Sequence, residues 1–199
     1  MKVKIKNKGK TKEFALINSW EDVTLENWTQ LISHKSKSKS KEALTVISEL
    51  SNIPKDIINK LDLGTVATIM GRIGKLQSEA NNKLTRIIEI DEVRYGFHPD
   101  LDSLTLGEYA DIETFVKMDI DKHLPEVMAI LYRPIVEEKN EIYTIEPYDG
   151  EIKMRAEEMK KMSSQEVQNA LVFFYLFARV FVKTMGLSSI EMMREMNQQ

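Results

Sequence analysis

The chain has 199 residues, 42% of them hydrophobic and 30% charged, with a formal net charge of −3, which is enough apolar material for one globular domain or two small packed ones. It contains no cysteine, which excludes a disulfide framework, zinc–thiolate centres and thiol nucleophiles. The near balance of charge sets up no global field toward nucleic acid. Lysine nevertheless occupies every even position from Lys2 to Lys12 and alternates with serine over residues 35–41, and acidic residues gather over 137–158.

Residues 2–6 and 12–17 alternate as strands do and predict a hairpin with Val3 and Ile5 on its inner face and lysines outside. A helix is expected from the capping Thr24, carrying Leu25, Trp28, Leu31 and Ile32 at helical spacing and ended by the Ser/Lys stretch. A second, over 41–51, has Leu44, Ile47 and Leu50 on one face and stops before Pro54, whose ring disfavours helix in the preceding residue. Short helices over 54–60 and 62–78 follow. Strand-like residues 85–90 and 93–97, joined by Asp91 and Glu92, predict another hairpin. Thr105 and Glu108 then form a capping box that opens a helix to about 117, followed by one over 122–132. Residues 135–162, with a strand over 141–145 and a turn over 147–150, read as an insertion where function is expected to sit. Ser163 and Glu166 form a further capping box, opening a helix that Gly186 ends. It is apolar almost all round, so it is either central to the fold or covered by another subunit. A last amphipathic helix over 187–197 carries Leu187, Ile190, Met193 and Met196.

The two halves echo each other. At an offset of 81, Phe14, Leu16, Trp20, Val23, Leu25, Trp28 and Leu31 fall on Tyr95, Phe97, Leu101, Leu104, Leu106, Tyr109 and Ile112. After a loop that differs by one residue, Leu44, Ile47, Leu50 and Pro54 fall on Leu124, Val127, Ile130 and Pro134. The expected architecture is α+β and predominantly helical. Two degenerate copies of a hairpin-plus-helices unit, 1–82 and 83–199, would pack into one compact globule with a long buried C-terminal helix. Trp28 and Tyr109 are expected in equivalent core sites.

The chain offers no catalytic constellation. His34, His98 and His123 lack metal-ligand spacing, and neither a Gly-x-Ser-x-Gly elbow nor a phosphate-cradling Gly-x-x-x-x-Gly-Lys is present. Asp100 with Asp102 and Asp119 with Asp121 stand before expected helix starts, where aspartate caps. The reading is therefore of a non-enzyme without cofactor or metal. Apolar residues 170–182, broken by Arg179, are short for a bilayer needing about 20 residues, and no membrane partner is expected. The amino terminus has no apolar core behind its lysines, so no signal peptide is expected. Gly71-Arg72-Ile73-Gly74-Lys75 resembles the Gly-x-x-Gly loop of KH domains, in which backbone approaches phosphates. With Lys2, Lys4 and Lys6 it forms a candidate nucleic-acid patch. The alternative is one continuous helix whose glycines admit a neighbouring helix, at about 1 kcal/mol each relative to alanine, beside lysines that protect an edge strand.

The hairpin, Trp-Glu-Asp-Val-Thr-Leu-Glu-Asn-Trp over 20–28, Met-Ala-Ile-Leu-Tyr-Arg-Pro over 128–134, the tyrosines of 143–148 and the late Phe-rich helix together resemble small virion-associated and assembly proteins of tailed bacteriophages, particularly the crAss-like group. The resemblance implies a non-enzymatic protein made in the host bacterial cytoplasm and built into, or carried within, the virion. It would be a structural subunit of a tail or portal-proximal ring, with other phage structural proteins or its own copies as partners. The alternatives are a tail assembly chaperone that is not retained, and a virion cargo or nucleic-acid-binding protein. Tyr143, Tyr148, Met192, Met193 and Met196 are the candidate contact residues, because aromatic and thioether groups suit interface cores.

Overall fold

A computed structural model describes residues 2–7, 10–33, 38–78, 83–140 and 142–176. The fold is α+β, and among these residues eight α-helices accompany two small antiparallel sheets.

Strands β1 (Lys2–Asn7) and β2 (Lys10–Ala15) pair antiparallel. Alternation along β1 buries Val3 and Ile5 and leaves Lys2 and Lys4 outside. Ser19 and Asp22 form a capping box around a 3-10 turn, Trp20–Asp22, that buries Trp20. Helix α1 (Leu25–Ser33) starts where the Thr24 hydroxyl accepts the Asn27 N–H at 3.3 Å. Then come α2 (Lys39–Glu49), α3 (Lys55–Ile58) and α4 (Leu63–Ser78), the last capped by Asp62 through the Thr65 N–H at 2.9 Å. Their inner faces enclose one apolar cluster that includes Val3, Ile5, Leu16, Trp20, Ile47, Leu50, Ile69 and Ile73.

The second part opens with β3 (Ile87–Ile90) and β4 (Val93–Phe97), turned by Asp91 and Glu92, both at positive φ as a tight two-residue hairpin demands. Helix α5 (Leu106–Asp119) begins at the predicted Thr105/Glu108 capping box. Helix α6 (Leu124–Leu131) runs directly into β5 (Tyr132–Lys139), which pairs with β4 on one side and β6 (Ile142–Ile145) on the other, giving the order β3-β4-β5-β6. After α7 (Ile152–Met159), α8 occupies residues 164–176. A second cluster lies among the sheet, α6, α7 and the start of α8, and takes in Leu25 of α1.

Two bonds are similar in the two parts but out of register, since Leu50 falls on Ile130 and not on Leu131. The Ile17 N–H donates to the Leu50 carbonyl at 3.1 Å, and the His98 N–H to the Leu131 carbonyl at 2.7 Å. The 3-10 turn Leu101–Ser103 precedes α5 as Trp20–Asp22 precedes α1. What ties the parts together is a short clasp. Ser164 donates its backbone N–H to Val23 at 2.7 Å and its hydroxyl to the Trp20 carbonyl at 2.8 Å. Leu25 N–H reaches Met162 at 2.7 Å and Glu26 N–H reaches Lys160 at 3.1 Å.

Several expectations need correction. Helix α6 is enclosed on nearly every side, with Leu124, Pro125 and every residue from Val127 to Leu131 buried; of the long helix expected after Ser163, residues 164–176 are described and the rest lies outside the described residues. Residues 135–162, read as an insertion, are packed into the fold: β5 and β6 complete the sheet and α7 packs on α6. Tyr109 is 41% exposed, whereas Trp28 packs against both clusters. The cause is Glu108, which takes the buried face of α5 and leaves Tyr109, one step round the helix, outside. Asp100 caps its 3-10 turn as predicted; Asp119 makes no side-chain cap and pairs with Lys122 at 3.1 Å instead.

Gly96 is the tightest backbone position, since a Cβ there would meet the Tyr143 ring at 2.4 Å. Gly96→Ala is expected to destabilise the protein by about 1–3 kcal/mol. Gly71→Ala, with nothing within 4 Å of the added carbon, should stabilise α4 by about 0.5–1 kcal/mol. Urea unfolding of both variants checks the pair of signs.

Candidate interaction surface

Strands β4 and β5 and helix α5 converge on a buried ionic cluster. Glu108, 1% exposed, meets Arg133 Nη2 through Oε1 at 2.6 Å and lies 3.6 Å from His98 Nε2. Its other oxygen accepts the Thr105 N–H at 2.6 Å and hydroxyl at 2.7 Å. Burial pushes the Glu108 carboxyl up, but the Thr105 donors and the Arg133 charge outweigh it and hold it below its ordinary value. Burial lowers His98 against the pull of Glu108, so the imidazole is kept neutral. The Arg133 guanidinium lies 5.8 Å from the Tyr148 ring centroid, and the Tyr148 hydroxyl donates to the Asp111 carboxylate. Glu108 and Arg133 are enclosed and have no open face for a substrate, although Arg133 Nε is buried without a hydrogen-bond partner among the described residues. The cluster is a strut that locks α5 to the sheet.

One open surface among the described residues is apolar. Where the two clusters adjoin, an open groove of about 780 Å3 is lined by Trp20, Trp28, Leu31, Val46, Met70 and Ile73 on one side and by Ile120, Leu124 and Leu171 on the other, with Glu42 and Asp121 at its margin. Gly74 of α4 also lines it, and nothing lies within 4 Å of where its Cβ would stand. The indole N–H of Trp20 is buried without an acceptor among the described residues.

Helix α8 leads away from this seam. Its first turns are fixed by buried polar groups: Gln165 donates to the Asn169 side-chain carbonyl at 3.0 Å, and Asn169 donates to the Lys83 carbonyl at 2.8 Å. Val167 and Ala170 complete the anchored part. Beyond it the helix emerges, leaving Phe173 39%, Tyr175 64% and Leu176 54% exposed, with Val172 beside them. The beginning of this helix lies in the core, and at its described end Phe174 packs on the core cluster while Val172, Tyr175 and Leu176 are exposed. Sequence reasoning singled out the helix but not the point of emergence, which the Gln165/Asn169 pair marks.

The predicted site residues that are described fall in different settings. Tyr143 is buried and donates its hydroxyl to the Phe97 carbonyl at 2.7 Å, so it supports the sheet and is not a contact residue. Tyr148 is half-buried in the ionic strut. Met192, Met193 and Met196 lie outside the described residues. The KH-like loop is corrected outright: α4 passes through Gly71, Arg72, Gly74 and Lys75 as continuous helix. Arg72 does approach the lysine strand, donating to the Lys2 carbonyl at 3.3 Å, but Lys2 and Lys4 pair with Glu13 at 3.3 and 4.0 Å. The side chain of Lys6 lies outside the described residues.

Arg133→Met leaves the Glu108 charge buried without its guanidinium and is expected to cost about 3–5 kcal/mol, part of which returns when Glu108→Gln is added. The pH dependence has a fixed sign. His98 is depressed from 6.5 and Glu108 from 4.5, so the native state binds fewer protons than the unfolded chain, and stability falls as pH drops below 6.5 and again below 4.5. Urea midpoints across these two values check the slope, and His98→Gln should flatten the upper limb alone. Compared with models of known protein families, with curated proteins and with solved structures, the chain matches none.

Proposed function

We propose that the chain is a non-enzymatic structural component of a tailed-phage virion, a subunit of a tail or portal-proximal ring that acts through protein–protein contacts. The observation that carries this reading is the exposure of Val172, Tyr175 and Leu176 at the described end of α8, because adjacent large apolar side chains at one end of a helix mark a contact surface. The phage assignment itself rests on the sequence resemblance. The matching capped turns support two degenerate copies, 1–82 and 83–199, of one unit, although Leu25 is buried and its counterpart Leu106 is 84% exposed. The protein would be made in the host bacterial cytoplasm and carried in the particle with other phage structural proteins. The open apolar groove favours the second reading, a tail assembly chaperone that shields an apolar segment and is left behind.

Particles purified away from the lysate separate the two. A structural subunit is present at fixed copy number, and a chaperone stays in the lysate. Tyr175→Glu with Leu176→Glu should leave the melting temperature within the range of surface variants and lower incorporation at least about tenfold, the equivalent of 1.4 kcal/mol of lost contact. Unchanged incorporation of this variant would overturn α8 as the contact.

A further inference from the structure

We propose that strand β6 is an open sheet edge at which two copies of this chain pair antiparallel, β6 against β6, so that their four-stranded sheets become one continuous sheet. The contact is made by backbone groups. It is therefore distinct from the exposed end of α8 and does not rest on the phage reading.

The register of β6 identifies the free groups. Lys139 pairs with Ile142 and Glu137 with Thr144, and the Glu146 N–H donates to the Pro134 carbonyl at 2.9 Å. Backbone groups of successive residues in a strand point to opposite sides, so Ile142, Thr144 and Glu146 face β5 while Tyr143 and Ile145 turn their N–H and C=O outward. Those outward groups have no partner among the described residues. Of the described elements only β4 and β5 pack extensively on β6, which ends the strand order. A row of unpaired N–H and C=O groups is completed by another extended backbone. Edges are ordinarily guarded against this by charge. Strand β1 carries Lys2 and Lys4 and β3 carries Glu89, but β6 reads Ile-Tyr-Thr-Ile, without charge, proline or glycine.

A second β6 completes this edge with no charge opposed. When Tyr143 stands opposite Ile145 of the second copy, the two exchange N–H···O=C bonds on both sides of a two-fold axis, and Thr144 meets its own counterpart. Glu146 then falls opposite Ile142, and Glu141 opposite Pro147, so no carboxylate faces another. Side chains keep their faces across the new pair. The exposed Thr144 and Ile142, the latter 77% exposed, come together from both copies on one face, and the Tyr143 ring stays over Gly96 on the other.

The chain has no cysteine, so one introduced thiol reports the register. Thr144 would stand in a non-hydrogen-bonded pair, whose Cα atoms lie about 4.5 Å apart, within reach of a disulfide. Under mild oxidation Thr144→Cys is expected to give a disulfide-linked dimer, and Ile142→Cys, displaced along the strand from its own counterpart, is not. Thr144→Lys places two ammonium groups directly opposite and should weaken dimerisation in sedimentation at least about tenfold. Its circular-dichroism spectrum should be unchanged, because the side chain is exposed. Tyr175→Glu with Leu176→Glu should leave this dimer intact, which separates it from the α8 contact. A monomer at every concentration overturns the proposal and leaves the α8 reading to its own test. A dimer that survives Thr144→Lys and is not linked through Thr144→Cys places self-association elsewhere and also overturns it. Equal cross-linking of Ile142→Cys and Thr144→Cys would mark random collision and overturn the register.

Discussion

The architecture depends on the clasp between the segment entering α1 and the turn entering α8. Four hydrogen bonds, from Ser164 to Trp20 and Val23, from Leu25 to Met162 and from Glu26 to Lys160, join two apolar clusters that otherwise adjoin chiefly through α1 and α6. Each bond contributes about 1 kcal/mol. Their larger effect is geometric, because they set the direction in which α8 leaves the core and the width at which the clusters stand apart. Groove and emergent helix are therefore consequences of one junction.

Two polar devices keep that junction rigid. On the sheet side, Glu108 and Arg133 fix α5 against β5 at a site where a buried pair is justified by its geometry: the remaining carboxylate oxygen has two donors from Thr105. Such pairs add little net stability over an apolar replacement, but the loss of one partner is costly. On the α8 side, Gln165 and Asn169 bond each other and the Lys83 carbonyl. Apolar side chains alone would leave the rotation of α8 about its axis loosely set. The amides select one rotation, and that selection decides which residues are left outside.

Local signals were legible because local physics carried them. The capping boxes at Thr105 and Ser163 bond as their spacing predicts, both hairpins form, and α4 spans the expected residues. What was not legible depends on partners distant in sequence. Tyr143 reads as a contact residue until β6 lays its ring over Gly96; Tyr109 reads as core until Glu108 claims the inner face; Gly71 to Lys75 reads as a phosphate loop until helix continues through it. The candidate surface was half visible, as a Phe-rich helix without a single apolar face. The groove that completes it has walls contributed by α1, α2, α4, α6 and α8, a convergence that no sequence window contains.

The clasp also orders events during synthesis. Its early half, residues 23–26, leaves the ribosome well over a hundred residues before its late half, 160–164. At about 5–20 residues per second the first cluster waits roughly seven to twenty-seven seconds for its closing partner. Through that interval Trp20 lacks the Ser164 bond and the apolar wall it belongs to stands open to whatever nascent chains are nearby. Neighbouring copies emerging from one polysome would meet at that wall before any of them has finished folding.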